Sequence, residues 1–138
     1  MKIPPMQTVD EPSLVKSYVL LPLLMDVLER DMATLAIVNL KLPLVYITCL
    51  QSAQDAIMAE LATLKGQLRN KGIKVYQQER TKQALDVRYL CRGYHHQFTM
   101  LWTVVKPEIE RMLSEFMQVD LTQAKRLPSS YPSAKKAP

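Results

Sequence analysis

The stretch YLCRGYHHQF, residues 89–98, gathers Cys91, Arg92, Tyr94 and both histidines of the chain, His95 and His96. Cysteine and histidine together can ligate zinc, or pair as a thiolate nucleophile and its base. Cys91 and His95 are four residues apart, which on a helix sets them on one face. A structural zinc needs four ligands and a catalytic one usually three from the protein. Only Cys49 and carboxylates remain to complete such a set, and neither CxxC nor HExxH occurs. A thiolate nucleophile needs contact with its base and a third group to orient it, and the spacing supplies neither. Arg92 is placed to pair with a carboxylate such as Glu79, or with an anionic ligand. A purely architectural corner explains the residue types more simply. Tyr89 and Cys91 extend a strand face, and Gly93 permits a sharp turn from strand to helix. Tyr94, Phe98 and Trp102, each four apart, then make an aromatic stripe on that helix. The expectation is no catalytic residue, no metal and no cofactor.

The elements that must hold this corner follow from periodicity. Residues 1–9 read as a flexible lead-in, and "DEPS" opens a helix with acidic residues at its positive end. Leu14, Tyr18, Leu21, Met25, Leu28, Met32 and Leu35 then alternate spacings of four and three, a helical stripe. Val19, Leu20, Leu23, Leu24 and Val27 widen it. This helix is therefore central, or pairs with a second copy of itself. Pro22 predicts a kink or a junction of two short helices. A break at "NLKLP" leads to Pro43, suited to a first helical turn. Ile47, Leu50, Gln54, Ile57, Leu61, Leu64 and Leu68 form a second stripe, with Gln54 at its rim. Gly72 stops that helix.

After Gly72 the period becomes two, in "IKVYQQER" and "ALDVRYLC", which reads as an antiparallel β-hairpin. The last helix is expected from near Gly93, broken or kinked at Pro107. The fold class is α+β, mostly helical, in the order α-α-β-β-α. Two long helices form an antiparallel hairpin, followed by a β-hairpin and a C-terminal helix. This order does not match a winged helix-turn-helix. One domain, 10–119, precedes a disordered basic Pro/Ser/Lys tail, 120–138.

At 138 residues with 48% hydrophobic and 22% charged residues, the chain is a typical size and composition for one soluble domain. It can bury roughly two-thirds of its unfolded surface without a staple. Three glycines argue against a phosphate-cradling loop. Of the formal charge of +5, residues 119–138 contribute +3, so the domain is only mildly basic. Two cysteines fit a reducing compartment, with Cys49 expected buried as a small hydrophobe. The longest apolar run is too short to span a bilayer, and the expected location is the cytoplasm.

"LPLLMDVLERDM", "GIKVYQQERT" and "RYLCRGYHHQFTMLW", in that order, resemble small YhjD-like proteins of Bacillus-type bacteria, over roughly residues 14–117. The resemblance implies a bacterial cytoplasmic protein and transfers no catalytic residue. Two functions then compete. The first is a non-enzymatic interaction or regulatory protein, a homo-oligomer or protein partner binding through its apolar helical stripes. The second is nucleic-acid binding by a basic β-hairpin. Lys74, Arg80, Lys82, Arg88 and Arg92 would hold phosphates, with Tyr94 and neighbouring tyrosines stacking on bases. No membrane role is expected.

Overall fold

A computed structural model describes residues 10–123, in which the elements are α1 (Asp10–Ile37), α2 (Pro43–Asn70), β1 (Ile73–Arg80), β2 (Ala84–Cys91), β3 (Tyr94–Leu101) and α3 (Trp102–Phe116). A short 3-10 turn, Leu121–Gln123, ends the described chain. The lead-in 1–9 and the tail beyond 123 lie outside the described residues. The fold is α+β and mostly helical, as the periodicity predicts, with α1 and α2 packed as a helical hairpin and the strands following.

The expected β-hairpin gains a third strand. β1, β2 and β3 form an antiparallel sheet in sequence order. Tyr94–Leu101 is therefore extended, and the last helix starts at Trp102 rather than near Gly93. The aromatic spacing concealed this. Four residues is close to one helical turn, but it is also an even number, so Tyr94 and Phe98 share a face in a strand as well. The turn between β2 and β3 has two residues, Arg92 (φ 51°) and Gly93 (φ 87°), with Cys91 paired to Tyr94. Positive φ at both central residues is the requirement of a type I′ hairpin turn. The β1–β2 loop is also tight: the Thr81 backbone N–H donates to the Ala84 carbonyl, and the Ala84 N–H donates to the Thr81 hydroxyl.

Cross-strand rows define two sheet faces. Ile73–Cys91–Tyr94, Val75–Tyr89–His96, Gln78–Val87–Phe98 and Arg80–Leu85–Met100 share the face toward the helices. Lys74–Leu90–His95, Gln77–Arg88–Gln97 and Glu79–Asp86–Thr99 share the open face. Tyr76 is an extra residue at a bulge between Val75 and Gln77.

α1 is the central element. Val15 and Val19 pack with Leu68, Ile73, Leu85, Val87, Tyr89 and Cys91. Leu20, Leu21, Leu24, Leu28 and Met32 pack instead with Ala53, Ile57 and Leu64 of α2 and with Val105, Ile109 and Met112 of α3. One helix serving two cores explains why its apolar surface runs around so much of its circumference. Gln54 sits at the rim, its amide donating to Glu29 Oε2 at 3.2 Å.

Neither proline breaks its helix. α1 runs through Pro22 and α3 through Pro107. Pro22 is exposed, so its ring meets solvent and the burial of its neighbours holds the helix together despite the missing donor. Cys49 is exposed, contrary to the burial expected of it, because it lies off the inward stripe of α2.

Replacing Pro22 with Ala restores the missing helical N–H. The expected result is a gain of about 1–3 kcal/mol in urea unfolding. A loss would mean that the proline's local geometry is required for packing.

Candidate functional site

The corner at residues 89–98 is built around Glu11, a carboxylate on the first turn of α1 that is only 3% exposed. Arg92 grips it through both terminal nitrogens: Nη1 donates to Oε2 at 3.0 Å, and Nη2 donates to Oε1 at 3.1 Å. This two-point geometry suits a planar guanidinium and a carboxylate. Nη1 also donates to the Lys71 carbonyl at 2.9 Å, at the end of α2. The Arg92 backbone N–H donates to the Gly72 carbonyl at 2.8 Å. Gly72 has φ +69°, and a Cβ there would lie 3.1 Å from Arg92 Cγ. One arginine thus joins the start of α1, the end of α2 and the β2–β3 turn. The partner is Glu11 and not the expected Glu79, which stands on the open face opposite Asp86.

The same arrangement bears on the candidate nucleophile. Cys91 is buried, and its Sγ–H points at Glu11 Oε1, 3.8 Å away. Burial above all, with the Glu11 charge and hydrogen bond adding to it against the pull of Arg92, pushes the thiol above its ordinary range. A thiolate nucleophile requires the opposite shift. His95 lies on the other sheet face, where Nδ1 is 2.9 Å from the Tyr76 hydroxyl. A helix would have set Cys91 and His95 together, whereas a strand turns them apart. Among the described residues, no cluster of three or more His, Cys, Asp or Glu could hold a metal ion. His96 stacks on Tyr89, with ring centres 5.2 Å apart and planes 17° from parallel, and Phe98 meets Tyr89 edge-on at 6.2 Å.

The six residues considered for nucleic acid or anion binding are spread over the sheet. Lys74 and Arg88 stand on the open face, in neighbouring rows. Arg80 ends β1 at the opposite end of the sheet from the Arg92 turn, and Lys82 is in the β1–β2 loop. Arg92 is committed to Glu11, and Tyr94 is on the helix-side face. Tyr89, also counted among the stacking aromatics, is 3% exposed. Tyr76 is exposed and lines a shallow depression with Arg88, His95, His96 and Gln97. On this face Lys74 and Arg88 are balanced by Glu79 and Asp86. The Thr99 hydroxyl holds the Asp86 carboxyl below its ordinary range against desolvation, with the Gln97 amide and Arg88 assisting. Asp86 therefore keeps its negative charge beside Arg88.

The feature that periodicity alone did not locate is the apex of the helical hairpin. Ile37 is 84% exposed and Leu44 76%, and Val38, Leu42, Val45 and Tyr46 are exposed beside them. Between Asp31 and Asp55 the only charged residue is Lys41. The sheet packs against the base of the hairpin and α3 against its middle, with Phe116 and Met117 reaching as far as Thr48 and Cys49. The inward stripes are consumed within the chain, and the apolar surface left over lies beyond them. The signal available in the sequence was the 23-residue interval with a single charge.

A family model described as "YhjD protein" matches residues 6–121. Neither a curated protein nor a solved structure matches the chain.

Thiol labelling checks the reading of the corner. Cys49 is expected to react at once with an aromatic disulfide reagent at neutral pH, and Cys91 only on unfolding. Because folding raises the Cys91 pKa, its contribution to stability is complete below the ordinary thiol pKa and is lost as pH rises through the folded value. Equal labelling rates in the native protein would contradict this picture.

Proposed function

We propose, from the premise that the chain belongs to the YhjD family, that it is a non-enzymatic cytoplasmic interaction or regulatory protein that self-associates through its hairpin apex. One observation carries this reading: six large apolar side chains, Ile37, Val38, Leu42, Leu44, Val45 and Tyr46, meet solvent together on a nearly uncharged hairpin end. Exposed apolar side chains concentrated in this way mark a contact surface more often than a solvated one. Interface centres are depleted of charge, as this end is. No helix among the described residues is long and apolar enough to cross a membrane.

A second copy is favoured over an anionic bilayer by the charges behind the apex. Asp26, Glu29, Asp31 and Asp55 outnumber Arg30 and Lys41 there. Anionic lipid attracts the opposite sign of charge. Two hairpins meeting by their apices would form a four-helix contact, with the same patch on each protomer, the arrangement of a two-fold dimer.

Sedimentation velocity over a range of protein concentrations tests this. The wild type is expected to shift from monomer to dimer. Leu44→Glu, at a position already exposed, should weaken the dimer at least tenfold, which corresponds to about 1.4 kcal/mol, with an unchanged circular dichroism spectrum. A wild type that stays monomeric at its highest soluble concentration would refute self-association.

A further inference from the structure

A groove between α1 and α3 opens onto the edge of the core and is rimmed by charged residues that the core does not use. α1 contributes Leu23, Asp26, Val27 and Arg30, and α3 contributes Trp102, Val105, Lys106 and Ile109. Both sets follow the spacing i, i+3, i+4, i+7, so each is a single helical face, and the two faces oppose one another. Arg80 closes the wall at the end of β1. The groove is open to solvent and has a volume of about 520 Å³, within the range of small-molecule sites.

The floor is apolar: Leu23, Val27, Trp102, Val105 and Ile109. Val27 is 39% exposed although it faces this groove. The Trp102 indole N–H already donates to the Thr81 carbonyl at 2.7 Å. The indole is thereby fixed in place, and its one donor is taken. The rim has the opposite character. Arg30, Arg80 and Lys106 stand around the floor against one carboxylate, Asp26. Among the described residues, none of the three cations is in an ion pair.

We propose that this groove binds a medium-chain aliphatic carboxylate. The chain lies on the apolar floor, which has no donor left for a polar body, and the carboxylate faces the excess positive charge of the rim. Charge complementarity favours this anionic amphiphile over a neutral one. It is independent of self-association, since the apex residues take no part in it.

Trp102 is the only tryptophan of the chain, so intrinsic fluorescence of the full-length protein reads the groove directly. The probes are octanoate, decanoate and dodecanoate below their micellar concentrations, with decanol as the uncharged control. Saturable changes are expected, tightening by up to about fourfold per added methylene. Decanoate should bind at least tenfold tighter than decanol. Arg30→Gln combined with Lys106→Gln should remove that preference while leaving decanol binding unchanged. Val27→Glu, at a half-open position, should abolish carboxylate binding with the dimer constant unaltered. No saturable change with any chain length would overturn the proposal, as would equal affinity for decanol and decanoate. A fluorescence change that depends on protein concentration alone would also overturn it and assign the groove to a second copy.

Discussion

The buried carboxylate of Glu11, held by Arg92, is the constraint on which the rest of this structure depends. A carboxylate removed from water needs compensation, and here a two-point guanidinium contact supplies it. The position of Glu11 on the first turn of α1 adds the favourable field of a helix start. The contact also explains a local oddity. Arg92 occupies a left-handed backbone conformation where glycine or asparagine is usual. The side chain that needs this turn to reach Glu11 is the one that bears the unfavourable φ. Gly72 completes the arrangement, because any side chain there would crowd Arg92.

From this corner the distribution of stability across the molecule follows. The sheet, the start of α1 and the end of α2 are joined at one end of the helical hairpin. α3 covers the middle of α1 and α2. Nothing among the described residues covers the far end. The molecule is thus a braced base with a projecting apolar end. That division is what the proposed self-association rests on: the base sets the shape, and the projecting end is the part left exposed. Cys91 is part of the brace, His96 stacks on Tyr89, and His95 contacts Tyr76 on the other sheet face.

What was legible in the sequence was local. The 3-4 stripes predicted α1 and α2, Pro43 and Gly72 marked the start and stop of α2, and alternation gave β1 and β2. The third strand was hidden because Tyr94 and Phe98 are spaced by a number that satisfies both periods, and because Arg-Gly is a weaker turn signal than Asn-Gly. Of the two outcomes expected at the prolines, a break does not occur: Pro22 and Pro107 carry a local penalty that the packing of whole helices overrides. The Glu11–Arg92 contact spans 81 residues and leaves no local pattern. Likewise, the two matched faces of the α1–α3 groove gain meaning only when those helices are known to pack. Periodicity also could not say which half of the long helices would be covered, which is why the apex emerged only in three dimensions.

The central claim is that Glu11 and Arg92 act as one unit. A double-mutant cycle with Glu11→Gln, Arg92→Gln and the double variant, followed by urea unfolding, tests it most directly. The account predicts strong coupling: either single change destabilises the protein markedly, and the second adds little. Two independent losses that simply add would contradict it, and would reduce the pair to a contact between neighbours.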